Sequence, residues 1–111
     1  KTLVCVGPKG NCVFVVPVHK ELDLKKAAKV SGQKSVEMIP VKDITKITGY
    51  IKGGCSPIGM KKLFPTYIDS TAQNFDAIIF SAGKIGKQVE MSIDDLLPLI
   101  KGTLAEITKE G

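Results

Sequence analysis

Two glycine–lysine stretches carry the residue types best suited to chemistry. The first, Gly49-Tyr50-Ile51-Lys52-Gly53-Gly54-Cys55-Ser56-Pro57-Ile58-Gly59-Met60-Lys61-Lys62, holds four of the eleven glycines of a 111-residue chain, with one proline and three lysines. Glycines lack a Cβ, so adjacent ones let main-chain N–H groups approach a ligand closely. Nearby ammonium groups then favour an anionic ligand: a phosphate, a carboxylate or a developing oxyanion. The plain alternative is a tight connection whose lysines are only solvated. The stretch does not match a nucleotide-binding P-loop. Gly54 to Gly59 has the glycine spacing, yet Met60 stands where the phosphate-binding lysine is needed and Lys61 where the hydroxyl ligand of magnesium belongs.

The second stretch, Ser81-Ala82-Gly83-Lys84-Ile85-Gly86-Lys87, follows an apolar run ending at Phe80. It is either an ordinary turn or a second set of main-chain donors facing the first loop across one pocket. No nucleophile arrives with its base. His19 is the only histidine, placed at an expected strand end beside Lys20 and Glu21, and the acids are dispersed, which argues against a Ser-His-Asp device. Cys55 has no base near it in sequence and reads as a bystander rather than a nucleophile. Cys5, Cys12 and Cys55 make no CxxC pair, and with one histidine no zinc-ligand spacing can be assembled, so neither metal nor cofactor is expected. An activated ester needs less. Orientation plus oxyanion donors, contributing about 3 kcal/mol each, would suffice.

All sixteen basic residues are lysines, against eleven acids, for a net charge of +5. That excess favours a polyanion such as RNA, or only keeps the surface soluble. The lack of arginine argues against bidentate base readout, and DNA is not an expected partner. No apolar run reaches the length of a membrane span, there is no basic-then-apolar leader, and the cysteines form no disulfide framework, so a reducing cytoplasm is expected. One domain, 1–111, is expected. Its start at Lys1, without a methionine, suggests a fragment.

These stretches need a frame. Leu3–Val6 and Cys12–Val18 read as buried strands joined by the hairpin loop Gly7-Pro8-Lys9-Gly10-Asn11, with Cys5 and Cys12 as small core fillers. Asp23 is placed to cap a helix over Leu24–Val30 that Gly32 ends; Lys25, Lys26 and Lys29 then share one face, solvated or turned to phosphates. Val36–Ile39 suggests a short strand and Val41–Thr48 a short helix with Ile44 and Ile47 inward, stopped by Gly49. Thr66–Ile68 and Ala77–Phe80 read as strands, with a turn or helix over Ser70–Phe75. Ser92 opens a helix with capping-box spacing, Pro98 is expected to kink or stop it near Leu97, and Leu104–Thr108 adds an edge strand. Without strict strand–helix alternation, the class is α+β.

The chain resembles the YbaK/EbsC-type aminoacyl-tRNA deacylases, free-standing relatives of the editing domain of bacterial prolyl-tRNA synthetases. The resemblance runs over nearly the whole chain through the first loop, Lys1-Thr2-Leu3-Val4, Leu22-Asp23-Leu24-Lys25-Lys26-Ala27-Ala28-Lys29 and Ser81-Ala82-Gly83-Lys84-Ile85-Gly86. It implies a curled mixed, barrel-like sheet flanked by helices, and an additional N-terminal segment that helps to close the pocket. It also implies removal of a wrongly attached amino acid, characteristically cysteine, from tRNA(Pro), the substrate's thiol attacking its own ester. Prolyl-tRNA synthetase is then a candidate partner. By motif position Lys1 matches the essential lysine, Gly53 the loop glycine facing the aminoacyl group and Ser81 the pocket serine. Gly54, Ser56, Gly83 and Lys84 extend the substrate-binding set, and Tyr50 is placed to stack on the terminal adenine or to anchor packing. Relatives usually have an aliphatic residue at Cys55 and a polar amide at Met60, which leaves cysteine against alanine open. Two alternatives stand beside the deacylase: an editing domain cut from a prolyl-tRNA synthetase, and a module that binds the tRNA 3′ end without hydrolysis.

Overall fold

In the computed structural model, which describes residues 1–110, the β-branched runs near the start form β1 (Thr2–Gly7) and β2 (Gly10–Val15). They are antiparallel and pair continuously from Thr2–Val15 to Gly7–Gly10. Pairing out to both glycines shortens the expected five-residue connection to Pro8 and Lys9. β2 also stops short of the expected Val18. Pro17 offers no N–H to a ladder, and Lys20 N–H closes a turn on the Pro17 carbonyl at 3.1 Å.

β2 is the middle of the molecule. It pairs in parallel with β4 (Thr66–Asp69), which pairs in parallel with β7 (Thr103–Ala105), while the free side of β1 takes β3 (Glu37–Met38) antiparallel. The order is β3-β1-β2-β4-β7. A separate antiparallel hairpin joins β5 (Ile78–Ser81) to β6 (Gln88–Met91), a strand the sequence reading missed. The sheet is mixed, as expected, but open: its curl does not close into a barrel.

Both faces of β2 are covered, which is why it reads as a continuous apolar run. Cys12, Phe14 and Val16 pack under α1 (Leu24–Val30) with Ala27, Ala28 and Ile107, and the Phe14 ring stacks on its paired neighbour Tyr67 at 5.5 Å. Cys5 and Cys12 face each other across the hairpin as buried free thiols; burial pushes Cys5 up to about 12. On the opposite face Val15 joins Ile68, Phe80 and the buried side of α3 (Ile93–Ile100), while Val13 joins Val4 and Ile39 beneath α2 (Ile44–Thr48). A 3-10 turn, Val41–Asp43, leads into α2, and Gly49 ends it.

Pro98 does not stop α3. Ile93, Leu96 and Ile100 are buried, at about 2 kcal/mol each, and together outweigh the roughly 3 kcal/mol cost of an interior proline. Asp94, whose carbonyl loses its partner, is exposed and open to water. The last strand is also shorter than expected. Beyond Ala105 the chain leaves the ladder to bind elsewhere: Ile107 N–H donates to Asp69 Oδ1 at 3.2 Å and Leu22 bridges Thr108. No helix among the described residues is long and apolar enough to cross a membrane.

Asp23 caps α1 as expected, its carboxylate accepting from Lys25 N at 2.9 Å and Lys26 N at 3.1 Å. The bond from the Lys26 main chain is the main reason that its pKa is held down. Stabilisation from this group is complete above the unfolded aspartate value of about 3.9 and is lost as pH falls through the lower folded value. Asp23→Ala should therefore lower the urea midpoint at pH 7 by an amount that shrinks toward pH 2. A difference undiminished at pH 2 would contradict the capping role.

Candidate active site

Each glycine–lysine stretch folds on itself before it meets the other. Gly54 N–H donates to Ile51 O at 3.0 Å, closing a turn whose third position, Gly53, sits at φ 84°, a conformation that strains any residue with a Cβ. The second stretch is the β5–β6 connection, closed by Ala82 N–H to Lys87 O at 2.9 Å and Lys87 N–H to Lys84 O at 3.0 Å. It is a strand-to-strand turn and, at the same time, a wall of the pocket.

The two turns touch. A Cβ on Gly54 would lie 3.3 Å from the Ile85 nitrogen, and one on Gly83 would lie 2.8 Å from Cε1 of Tyr50. Only glycine at position 83 lets the Tyr50 ring in. With β1 they enclose a cavity of about 460 Å³ whose lining includes Lys1, Lys52, Gly53, Ser81, Lys84 and Lys87. Lys1 is fixed there because its carbonyl accepts from Val16 N at 2.9 Å, extending the β1–β2 pairing by one step. The Ser81 hydroxyl accepts from Gly83 N at 3.3 Å and keeps its own proton to donate to a ligand.

Four ammonium groups and no carboxylate border this space among the described residues. Its remaining wall is largely apolar, with Ile39, Ile44 and Phe80 behind the polar groups. The lysines themselves are exposed, so together they attract an anion to the opening at long range and less strongly as salt is added. Cys55 also lines the cavity, but burial pushes its thiol up, and its hydrogen-bond contacts are to Ile51 O at 3.7 Å and Thr48 Oγ1 at 3.9 Å. That is an environment for a thiol, not a thiolate.

The expected set therefore divides. Lys1, Gly53, Ser81 and Lys84 come together around the cavity, whereas Tyr50, Gly54, Ser56 and Gly83 do not line it. The Tyr50 hydroxyl donates to Ile58 O and its ring is wedged at Gly83, so it anchors loop to loop and is not placed to stack on an adenine. Ser56 is buried, with its Oγ accepting from Ile58 N at 3.2 Å. The Gly54 N–H is spent within its own turn. Lys26 leaves the supposed lysine face, binding Glu106 Oε1 at 3.0 Å and Thr108 O at 2.9 Å. Sequence reasoning passed over Lys52, next to Gly53, and Lys87, three residues after Lys84 in the same stretch. Gln88 and Thr2 were missed for want of β6 and of side-chain burial; the buried Thr2 hydroxyl has no hydrogen-bond partner among the described residues.

Residues 1–99 match the aminoacyl-tRNA editing domain. The chain belongs to that family. A curated protein of Enterococcus faecalis (strain ATCC 700802 / V583), named as a candidate Cys-tRNA(Pro)/Cys-tRNA(Cys) deacylase, EbsC, is 59% identical over 109 residues, 97% of this chain. This editing domain spans 66% of that relative's length. Among solved structures, a candidate trans-editing enzyme for prolyl-tRNA synthetase superposes with a TM-score of 0.90 at 26% identity, over 99% of this chain and 69% of the other. A scaffold protein from work on epitope backbone grafting by computational design gives 0.91 at 26%, over 100% and 71%.

If Tyr50 holds the editing domain's two turns together, Tyr50→Phe should cost about 1 kcal/mol of stability through the orphaned Ile58 carbonyl. Affinity for an RNA 3′ end should be unchanged, because the ring still fills the notch at Gly83. Unaltered stability with lost affinity would show instead that the hydroxyl serves the ligand.

Proposed function

We propose that this editing domain is a trans-acting hydrolase that deacylates misacylated tRNA, with Cys-tRNA(Pro) as its substrate. The observation that carries the reading is the convergence of Lys1, the Gly53 turn and Ser81 on one cavity bordered by ammonium groups. The names of its relatives point the same way, one a candidate Cys-tRNA(Pro)/Cys-tRNA(Cys) deacylase and one a candidate trans-editing enzyme for prolyl-tRNA synthetase.

In this account Lys1, helped by Lys52, Lys84 and Lys87, holds the phosphate of the RNA terminus, and the aminoacyl ester lies against the Gly53 turn and Ser81. Gly53 N–H and the Ser81 hydroxyl stabilise the oxyanion that forms at the carbonyl, at about 3 kcal/mol per donor. The attacking group belongs to the substrate. Its thiol sulfur bonds to the carbonyl carbon, the bond to the ribose oxygen breaks, and the thiol's proton ends on that oxygen. Uncharged tRNA leaves, and water opens the resulting thiolactone to free cysteine. Binding that holds sulfur and carbonyl in line supplies the acceleration.

This reading places the domain in the cytoplasm with the charged tRNA pool. Association with prolyl-tRNA synthetase would let it act before misacylated tRNA is delivered.

The test is a panel of tRNA(Pro) charged with Cys, Ala, Ser or Pro, with release followed over time. Cysteine should leave fastest, and alanine and serine slowly for want of a thiol. Lys1→Ala should lower kcat/KM for cysteine by roughly 100-fold or more while the melting temperature holds. Undiminished release by that variant would contradict the assignment, and tight binding of charged tRNA without release by the wild type would make the domain a binding module.

A further inference from the structure

The cavity accounts for the end of an RNA chain but not for the path by which that chain leaves. Four phenylalanines and two tyrosines make up the aromatic residues. Phe14 and Phe80 are buried, Tyr67 lies against Phe14, Tyr50 joins the two turns, and Phe64 packs against Val4, Val13 and Ile39. Phe75 differs: it is 62% exposed. Its main chain is fixed, since its N–H donates to Ala72 O at 3.3 Å at the end of the 3-10 turn Ser70–Asn74, which Asp69 caps through Thr71 N.

Phe75 borders a second, smaller hollow of about 120 Å³. Lys1, Val18 and Ile79 line this hollow and the large cavity alike, so the two adjoin at those three side chains. Val18 and Ile79 are themselves 80% and 58% exposed. A ligand leaving the cavity on this side crosses one ammonium and an apolar sill before it meets an aromatic face.

From that adjacency we propose that Phe75 is the stacking platform for the base of the penultimate nucleotide of the substrate RNA. The inference rests on the deacylase reading above. A flat base with an anionic phosphate on one side matches an aromatic face with an ammonium beside it, the combination by which single-stranded ends are held without regard to sequence. Asp76 follows Phe75 and is exposed, so the phosphate lies on the Lys1 side of the ring. Phe75 would thus do the work expected of Tyr50, one nucleotide further along the strand.

The probe is an uncharged RNA minihelix with a single-stranded 3′ end carrying 2-aminopurine at the penultimate position. Wild-type protein should quench its fluorescence on binding. Phe75→Ala should abolish the quench and weaken binding about tenfold, the size of one base–aromatic stack. Phe75→Tyr should retain both, and Phe75→Leu, which keeps apolar bulk without a π-face, should behave like the alanine variant. The proposal is overturned if Phe75→Ala binds like wild type, if Phe75→Leu restores affinity as well as Phe75→Tyr does, or if sedimentation shows a dimer that Phe75→Ala dissolves. Turnover separates the two readings: Phe75→Ala should lose efficiency on Cys-tRNA(Pro) but cleave 3′-cysteinyl-adenosine, which ends before this base, at the wild-type rate. Should wild type release cysteine from neither substrate, the deacylase reading falls, while the fluorescence result still decides the role of Phe75.

Discussion

The site depends on how closely two turns can approach. The Tyr50 ring sits where a Cβ at position 83 would be, and the Ile85 main chain lies against Gly54, at separations that leave no room for a larger residue at Gly83 and little at Gly54. Neither turn carries a catalytic group in the usual sense. Each presents a rigid length of backbone, and their contact fixes Gly53 relative to Ser81. β1 completes the arrangement by bringing Lys1 to the same cavity through its pairing with β2. A loop free to drift by an ångström would keep the same residues and lose the alignment on which positioning depends.

A site of this kind has a distinct electrostatic character. Ammonium groups surround an opening that no carboxylate borders among the described residues, with apolar side chains in the same lining; the lysines are exposed, so their pull on an anion weakens as salt is added. The lone histidine is exposed on the turn after β2, outside the lining, and the one thiol in the wall is pushed toward its protonated form. What remains is attraction, orientation and hydrogen-bond donation. Those would suffice for the proposed substrate, an activated ester that carries its own nucleophile.

Local chemistry made some of this legible in the sequence. Asp23 and Gly49 act over a few residues, so the start of α1 and the end of α2 follow from them directly. The two glycine stretches were identifiable by composition, and the family resemblance joined Lys1, Gly53 and Ser81, residues far apart in the chain. What failed was what tertiary contact decides. Pro98 stays in a helix because three buried side chains on the other face outweigh it. β6 is four residues long, two of them exposed, and pairs with β5 alone; its alternation is too brief to stand out. Tyr50 and Ser56 have the right types for a ligand site, but their partner, Ile58, lies within the same loop. Sequence order cannot show that a side chain has turned back on its own backbone.

The central claim is that both turns and Lys1 face one ligand. The direct measurement is a titration of 15N-labelled protein with an amide-linked, uncleavable cysteinyl-adenosine 5′-phosphate, followed by amide chemical shifts. Gly53, Ser81 and the main chain around Lys1 should shift together with one dissociation constant, while the amides of α1 on the far face of the sheet stay in place. Saturation of the Gly53 turn with no response at Ser81, or two unrelated binding curves, would contradict the account.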